Sequence, residues 1–160
     1  AMKRVEAVRQ FRLASKSPPT QKLADTPTRF HVENMPTSTY LLIPKVSSER
    51  RTFIPIGFVH SDTLSSDLVF IVPDATLYHF GVLTSTIHMA WVRSVCGRLE
   101  SRYRYSAGIV YNNFPWPDTP DDKTRQTIEV AAQAVLDARA HFMHPSPSGR
   151  GAGGRGRLAR

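Results

Sequence analysis

The densest array of reactive side chains lies in "GRLESRYRYS", residues 97–106. Glu100, Arg102 and Arg104 alternate there with Ser101, Tyr103 and Tyr105. Successive side chains of an extended strand point to opposite faces, so the three charged residues would share one face and the two tyrosines the other. A guanidinium can donate two hydrogen bonds to guanine O6 and N7, and a carboxylate can accept from the cytosine amine. Such a row suits the reading of base edges. It is also the pattern of a solvated strand face laced with cross-strand ion pairs. A second cluster, "KVSSERR" at 45–51, offers donors on Lys45, Ser47, Ser48, Arg50 and Arg51. On a loop these suit phosphate oxygens, and a polar turn explains them equally well.

Two other chemistries are imitated by short stretches. "YNNFPWP", residues 111–117, has the asparagine and aromatics of the Asn/Asp-Pro-Pro-aromatic loop with which amino-group DNA methyltransferases hold an extruded base. No consecutive prolines follow the asparagines, and no Gly-rich loop after a strand lies upstream to hold a nucleotide-like cofactor. The stretch therefore reads as structural, with Phe114 and Trp116 as core anchors. Pro73-Asp74 with Glu100 and Arg102 resembles the Pro-Asp…Glu-x-Lys site of metal-dependent nucleases. Arg102 stands in the lysine position and does not release its proton, and Asp74 is better explained as a helix cap. Six histidines and one cysteine show no zinc-ligand spacing. His60, His79 and His88 read as ordinary helix and strand-end residues, and Cys96 as a small buried hydrophobe. No nucleophile triad can be assembled, so neither catalytic nor metal-binding residues are assigned.

These side chains need elements to position them. Val5, Val8 and Phe11 fall on one face of a short helix over residues 3–14. "SKSPPTQKLADTPTRF" then reads as a connector; one placed so early points to something larger ahead of it. "YLLIP" (40–44) is a short strand, and "TFIPIGFVH" (52–60) an edge or bent strand because of Pro55. "SSDLVFIVP" (65–73) has the cleanest buried-strand pattern, with Asp74 as the N-cap of the next helix. Leu77, Phe80, Thr84, Ile87, Trp91 and Val95 recur at helical spacing, predicting helix over about 75–97 with a break at Thr84–Thr86. "SRYRYSAGIVYN" returns to strand character. Three prolines close together stop any regular element in "NNFPWPDTPDD". "KTRQTIEVAAQAVLDARAHF" (123–142) is a helix whose buried face is Ile128, Ala132, Val135 and Ala138 or Arg139. The order of helix, strands, helix, strand and helix indicates an α+β fold.

The chain of 160 residues, 41% apolar, can bury a real core. It lacks both a signal-peptide core and the run of about 18 apolar residues that a membrane span needs. The expectation is a cytoplasmic protein with no membrane partner. Its net charge of +8 favours an anionic partner, but the tail His141–Arg160 supplies four arginines and no acid. Without it 17 bases face 13 acids, a mild +4. The Gly/Arg tail reads either as a disordered basic segment or as the product of a shifted reading frame in GC-rich DNA.

"YLLIPKVSSERRTFIPIGF", "IVPDATLYHFGVLTSTIHMAWVRSVCGRLESRYRYSAGIVYNNFPWP" and "AAQAVLDARAHF" together resemble the target recognition domain of the MmeI-like type IIG/IIL restriction-modification enzymes. The resemblance covers roughly residues 5–142. It implies an α+β target recognition fold whose partner is double-stranded DNA. Base-specifying positions match Glu100, Arg102 and Arg104, with a further one near Leu68. It also implies separate or missing methyltransferase and nuclease domains: adenine-N6 methylation with S-adenosylmethionine, and cleavage with Mg²⁺, belong to them, and no cofactor belongs to this chain. The expected organisation is a connector from an upstream methyltransferase domain (1–35), a recognition core (36–120), a C-terminal helix (121–142) and the Gly/Arg tail (143–160), which departs from the family and suggests truncation. The rival reading is a protein–protein docking module of a methyltransferase complex, touching DNA only weakly.

Overall fold

Helices α1 (Met2–Leu13) and α2 (Pro18–Lys22) come first, followed by strands β1 (Tyr40–Pro44), β2 (Val46–Ser47), β3 (Gly57–Val59) and β4 (Val69–Val72). Helices α3 (Leu77–Leu83) and α4 (Thr86–Val95) follow, then β5 (Gly97–Leu99), β6 (Arg102–Arg104), a π-helical turn at Ala107–Tyr111 and the long α5 (Asp122–Met143). This α+β arrangement is seen in a computed structural model that describes residues 1–31, 33, 35–118 and 120–143. The tail from 144 onward lies outside the described residues.

Two small antiparallel sheets organise the chain, in the orders β3-β1-β4 and β2-β6-β5. The hub is β1, whose Tyr40, Leu41 and Ile43 are almost wholly buried. Only Lys45 separates β1 from β2, so one nearly continuous segment serves both sheets. β3 lies at an edge, two residues after Pro55, where a residue without an N–H does no harm. β4 corrects the expectation for 65–73. It is a short edge strand of half-buried residues, because the central place goes to β1.

α3 packs along α5, and α4 lies against α3 and the π-helical turn. The expected break falls at Thr84–Ser85, where Ser85 Oγ accepts from the His88 N–H at 3.1 Å and starts α4. Asp74 is not the cap of α3. It sits in a turn at φ 53, and Thr76 caps the helix in a capping box with His79. Residues 107–111 also depart from expectation: they wind into a π-helical turn whose Val110 is buried. The core-facing line of α5 runs through half-buried Ile128, buried Ala132 and half-buried Leu136 and Arg139, while Val135 is exposed. Arg139 donates to the Ile56 carbonyl at 2.6 Å and lies over the Phe80 ring.

The N-terminal connector is more ordered than its composition indicates. It holds α2 and a 3₁₀ turn at Leu23–Asp25, folded back on α1. Arg12 ties the pieces together, donating to the carbonyls of Leu23, Thr26 and Arg29 at 2.7–2.8 Å. No residue of α1 is buried, so Phe11 and Val8 do not form a core face here.

Candidate functional site

The β5–β6 hairpin carries the exposed charged row. Tyr103 and Tyr105 turn inward, 5% and 2% exposed, while Arg102 and Arg104 stand exposed on the opposite side. The alternation read from the sequence thus holds from 102 to 105. Burial of the tyrosines decides which way the arginines face, since their rings join the core around Leu41, Phe80 and Val92.

Glu100 is placed differently from the expectation. It is not a strand residue; with Ser101 it forms the turn between β5 and β6, at φ 57. A left-handed residue at the turn lets two short strands reverse within two residues. Its carboxylate nonetheless reaches back to Arg102, with Nη2 donating at 2.7 Å. Both partners are solvated, so the pair orients the two side chains more than it stabilises the fold.

A buried polar pair anchors the end of this strand. His88 of α4 and the Tyr105 hydroxyl share a hydrogen bond of 3.0 Å, and the Phe114 ring meets the imidazole edge-on at 4.7 Å. Burial lowers the His88 pKa to about 4 and raises that of Tyr105. Both groups are therefore neutral at pH 7. The other imidazole nitrogen, Nδ1, has no partner among the described residues. The pair locks the chain directly after Arg104 to α4.

The remaining candidates gather at the seam between the sheets. The Lys45 N–H donates to the Leu68 carbonyl at 2.9 Å, and the next residue, Val46, pairs with Arg104. Leu68, Lys45 and Arg104 are thereby brought together from three segments. Leu68 is 68% exposed just before β4, and the Lys45 ammonium lies 5.0 Å over the Phe70 ring. Ser48 shapes the following turn, its Oγ accepting from the Arg50 N–H at 3.2 Å, and it leaves Arg50 and Arg51 exposed. Ser47 is a correction. It lies on β2 opposite Tyr103, is buried, and faces away from solvent, so it is not a loop donor for phosphate.

"YNNFPWP" is built into the core. Phe114 is 5% exposed and packs on Trp91 and Trp116. The Asn113 amide donates to the Gly108 carbonyl at 2.8 Å. Phe114 is therefore not free to stack on a base, and Asn113 closes its own turn. Among the described residues no three His, Cys, Asp or Glu side chains come together as a metal site. No helix among them is long and apolar enough to cross a membrane.

With this geometry, comparison with known proteins is decisive. The model of a family described as "MmeI, target recognition domain" matches residues 1–118. The chain belongs to that family. It is 40% identical over 136 residues to DNA methyltransferase A of Bacillus subtilis (strain 168), a match covering 85% of this chain and 15% of that protein. A solved structure of the type IIL restriction-modification enzyme MmeI, in complex with DNA, superposes with a TM-score of 0.80 at 48% identity. That likeness covers 92% of this chain and 19% of the MmeI chain. The chain thus spans less than a fifth of the length of either relative.

Two residues of this MmeI-type recognition domain carry no signal in the sequence pattern. Arg93, exposed on α4, donates to the Thr52 carbonyl at 3.1 Å and joins the basic turn at 48–51. Arg98 stacks on the Tyr103 ring at 4.1 Å and donates to the Ser101 carbonyl at 3.2 Å, bracing the hairpin turn. No periodicity marks Arg93, whose partner is a loop far off in the chain. Arg98 is legible only if residues 97–99 are seen as a strand.

Proposed function

We propose that this chain reads the sequence of duplex DNA through the β5–β6 hairpin, as the recognition part of a restriction-modification methyltransferase. The observation that carries this reading is the side-by-side exposure of Arg102 and Arg104, with their strand held from behind by Tyr103 and by the His88–Tyr105 pair. A strand with two guanidiniums projecting from a rigid backing suits bidentate contact with guanine in the major groove. Glu100, held against Arg102, accepts from a cytosine amine, and Leu68 lies against a neighbouring base. Lys45, Ser48, Arg50 and Arg51 hold phosphates and set the register. The solved MmeI relative, bound to DNA, supports a DNA partner. Adenine-N6 methylation with S-adenosylmethionine, and cleavage with Mg²⁺, fall to other domains of the parent protein.

The test is duplex binding by fluorescence anisotropy across a salt series, with the full chain and a version ending at Phe142 in parallel. The shorter version removes the tail's arginines, which would hold any polyanion. Salt-dependent binding that the Arg102→Ala/Arg104→Ala double variant weakens is the expected result. Binding indifferent to salt and to both substitutions would instead indicate a protein-docking module. In the parent enzyme, either single substitution should cost about 1–3 kcal/mol and relax one base position. Unchanged site preference in both would remove the base-reading role.

A further inference from the structure

The strand paired with β6 carries residues to which no role has been assigned. The register sets Gly97 opposite Arg104 and Leu99 opposite Arg102. Directly paired residues of an antiparallel ladder project to the same face. The exposed face of the hairpin is therefore two strands wide. One row is Arg104 and Gly97, with half-buried Val46 of β2 beside it, and the next holds Arg102 and Leu99. All three residues of β5 are exposed, and Leu99 keeps 42% of its surface open. Arg98, between them, belongs to the other face, where it stacks on Tyr103.

Gly97 opens β5. Glycine weakens a strand by loss of conformational entropy, and its usual reasons are a positive φ or a crowded site. Neither applies here. Gly97 is not among the positive-φ residues, and a Cβ built on it would meet only the Arg104 carbonyl oxygen, at an ordinary 3.8 Å. Nothing within the described fold excludes a side chain there. The unbroken register of β5 with β6 leaves no bulge at Gly97, and close approach of something outside is a further reason for glycine in an exposed strand. The neighbouring Arg102 and Arg104 give that face the charge that complements a nucleic acid.

We infer that β5 forms the second row of the DNA-reading face: Gly97 gives clearance for the duplex beside Arg104, and Leu99 makes an apolar contact with a thymine methyl group beside Arg102. This rests on the proposed DNA reading. The major groove is the face that suits it, because the thymine methyl is displayed only there and an aliphatic side chain is its natural partner. Leu99 would then discriminate at a base pair where an arginine cannot, and Gly97 would set how deeply the hairpin enters.

The test uses the full 160-residue chain. Duplexes are enriched by the wild-type chain from a randomised pool, then remade with each thymine replaced in turn by uracil, which lacks only the methyl group. One thymine is expected to lose about fourfold in affinity on replacement, the worth of one buried methyl. Leu99→Ala should bind both forms equally. Gly97→Ala should keep or raise the melting temperature, because alanine costs less strand entropy, yet weaken duplex binding several-fold. No thymine-to-uracil effect in the wild type, or the same effect in Leu99→Ala, overturns the Leu99 contact. Unaltered binding by Gly97→Ala overturns the clearance. If either occurs while Arg102→Ala still weakens binding, the DNA reading survives and only the role of β5 fails. A wild-type chain that enriches nothing and binds no duplex overturns both.

Discussion

His88 makes the support of β6 sensitive to pH. Its pKa is about 4 in the fold because burial disfavours the imidazolium, against about 6.5 in an unfolded chain. Between those values the unfolded chain binds a proton that the folded chain refuses, so stability is fully present above pH about 6.5 and falls toward pH about 4. The loss is on the order of 3 kcal/mol. Urea unfolding at pH 7 and pH 4.5 should show it for the wild type and much less for His88→Phe; equal pH dependence in both proteins would contradict this assignment. The carboxylates also titrate near the lower limit, which is why the comparison is with the variant. Substitution of Arg102 or Arg104 should behave differently, because both are solvated and neither supports the core. Any loss of duplex binding should come with melting temperatures unchanged.

At the scale of elements, the contact of α3 with α5 matters most, because it holds the two helical layers together. It is as close as it is because residue 81 has no side chain. A Cβ built there would lie 2.7 Å from Ile128 Cγ2 and 3.3 Å from the Ala132 Cβ. Gly81→Ala must therefore displace Ile128 or push the helices apart, and it should cost about 1–3 kcal/mol despite alanine's better helix propensity. Ile128→Ala in the same chain should recover part of that loss. A Gly81→Ala protein as stable as the wild type would show that this contact relaxes without cost. The hairpin shows the contrasting situation. β5 and β6 are three residues each, too short to hold a register alone. Pairing of β6 with β2, the stack of Arg98 on Tyr103, and the tether from Tyr105 to His88 hold it in place.

Over the whole molecule, the positive charge that would meet a duplex is spread over separate segments: Lys45, Arg50 and Arg51 beside β2, Arg93 on α4, and Arg102 and Arg104 on β6. Each phosphate contact releases about one counterion. Changing Lys45, Arg50 or Arg51 to alanine should then weaken binding to all duplexes alike and lower the slope of log K against log salt by about one each. Arg102→Ala should instead alter which sequence is preferred. If Arg50→Ala and Arg51→Ala leave the slope untouched, the basic turn faces away from the phosphates.

Local periodicity by itself determined much of this. The alternation of 102–105, the break at Thr84–Ser85, the long α5 and the strand "YLLIP" were all legible, because a period of two or 3.6 records which side of an element is buried. The long match of "CGRLESRYRYSAGIVYNNFPWP" and its flanks also carried the family. Tertiary structure decided what no local pattern encodes. Ser47 reads as a loop donor in "KVSSERR", yet pairing with Tyr103 draws it inward as strand β2. Glu100 reads as the first of three strand residues, yet β5 folds back along β6 and makes it the turn. Residues 107–111 read as strand, yet the core takes Val110 from a π-helical turn whose indole partner, Trp91, donates to the Val110 carbonyl at 2.9 Å. In each case the deciding neighbour is distant in the chain, or is a strand too short to show a period. Only the packed molecule brings such neighbours together.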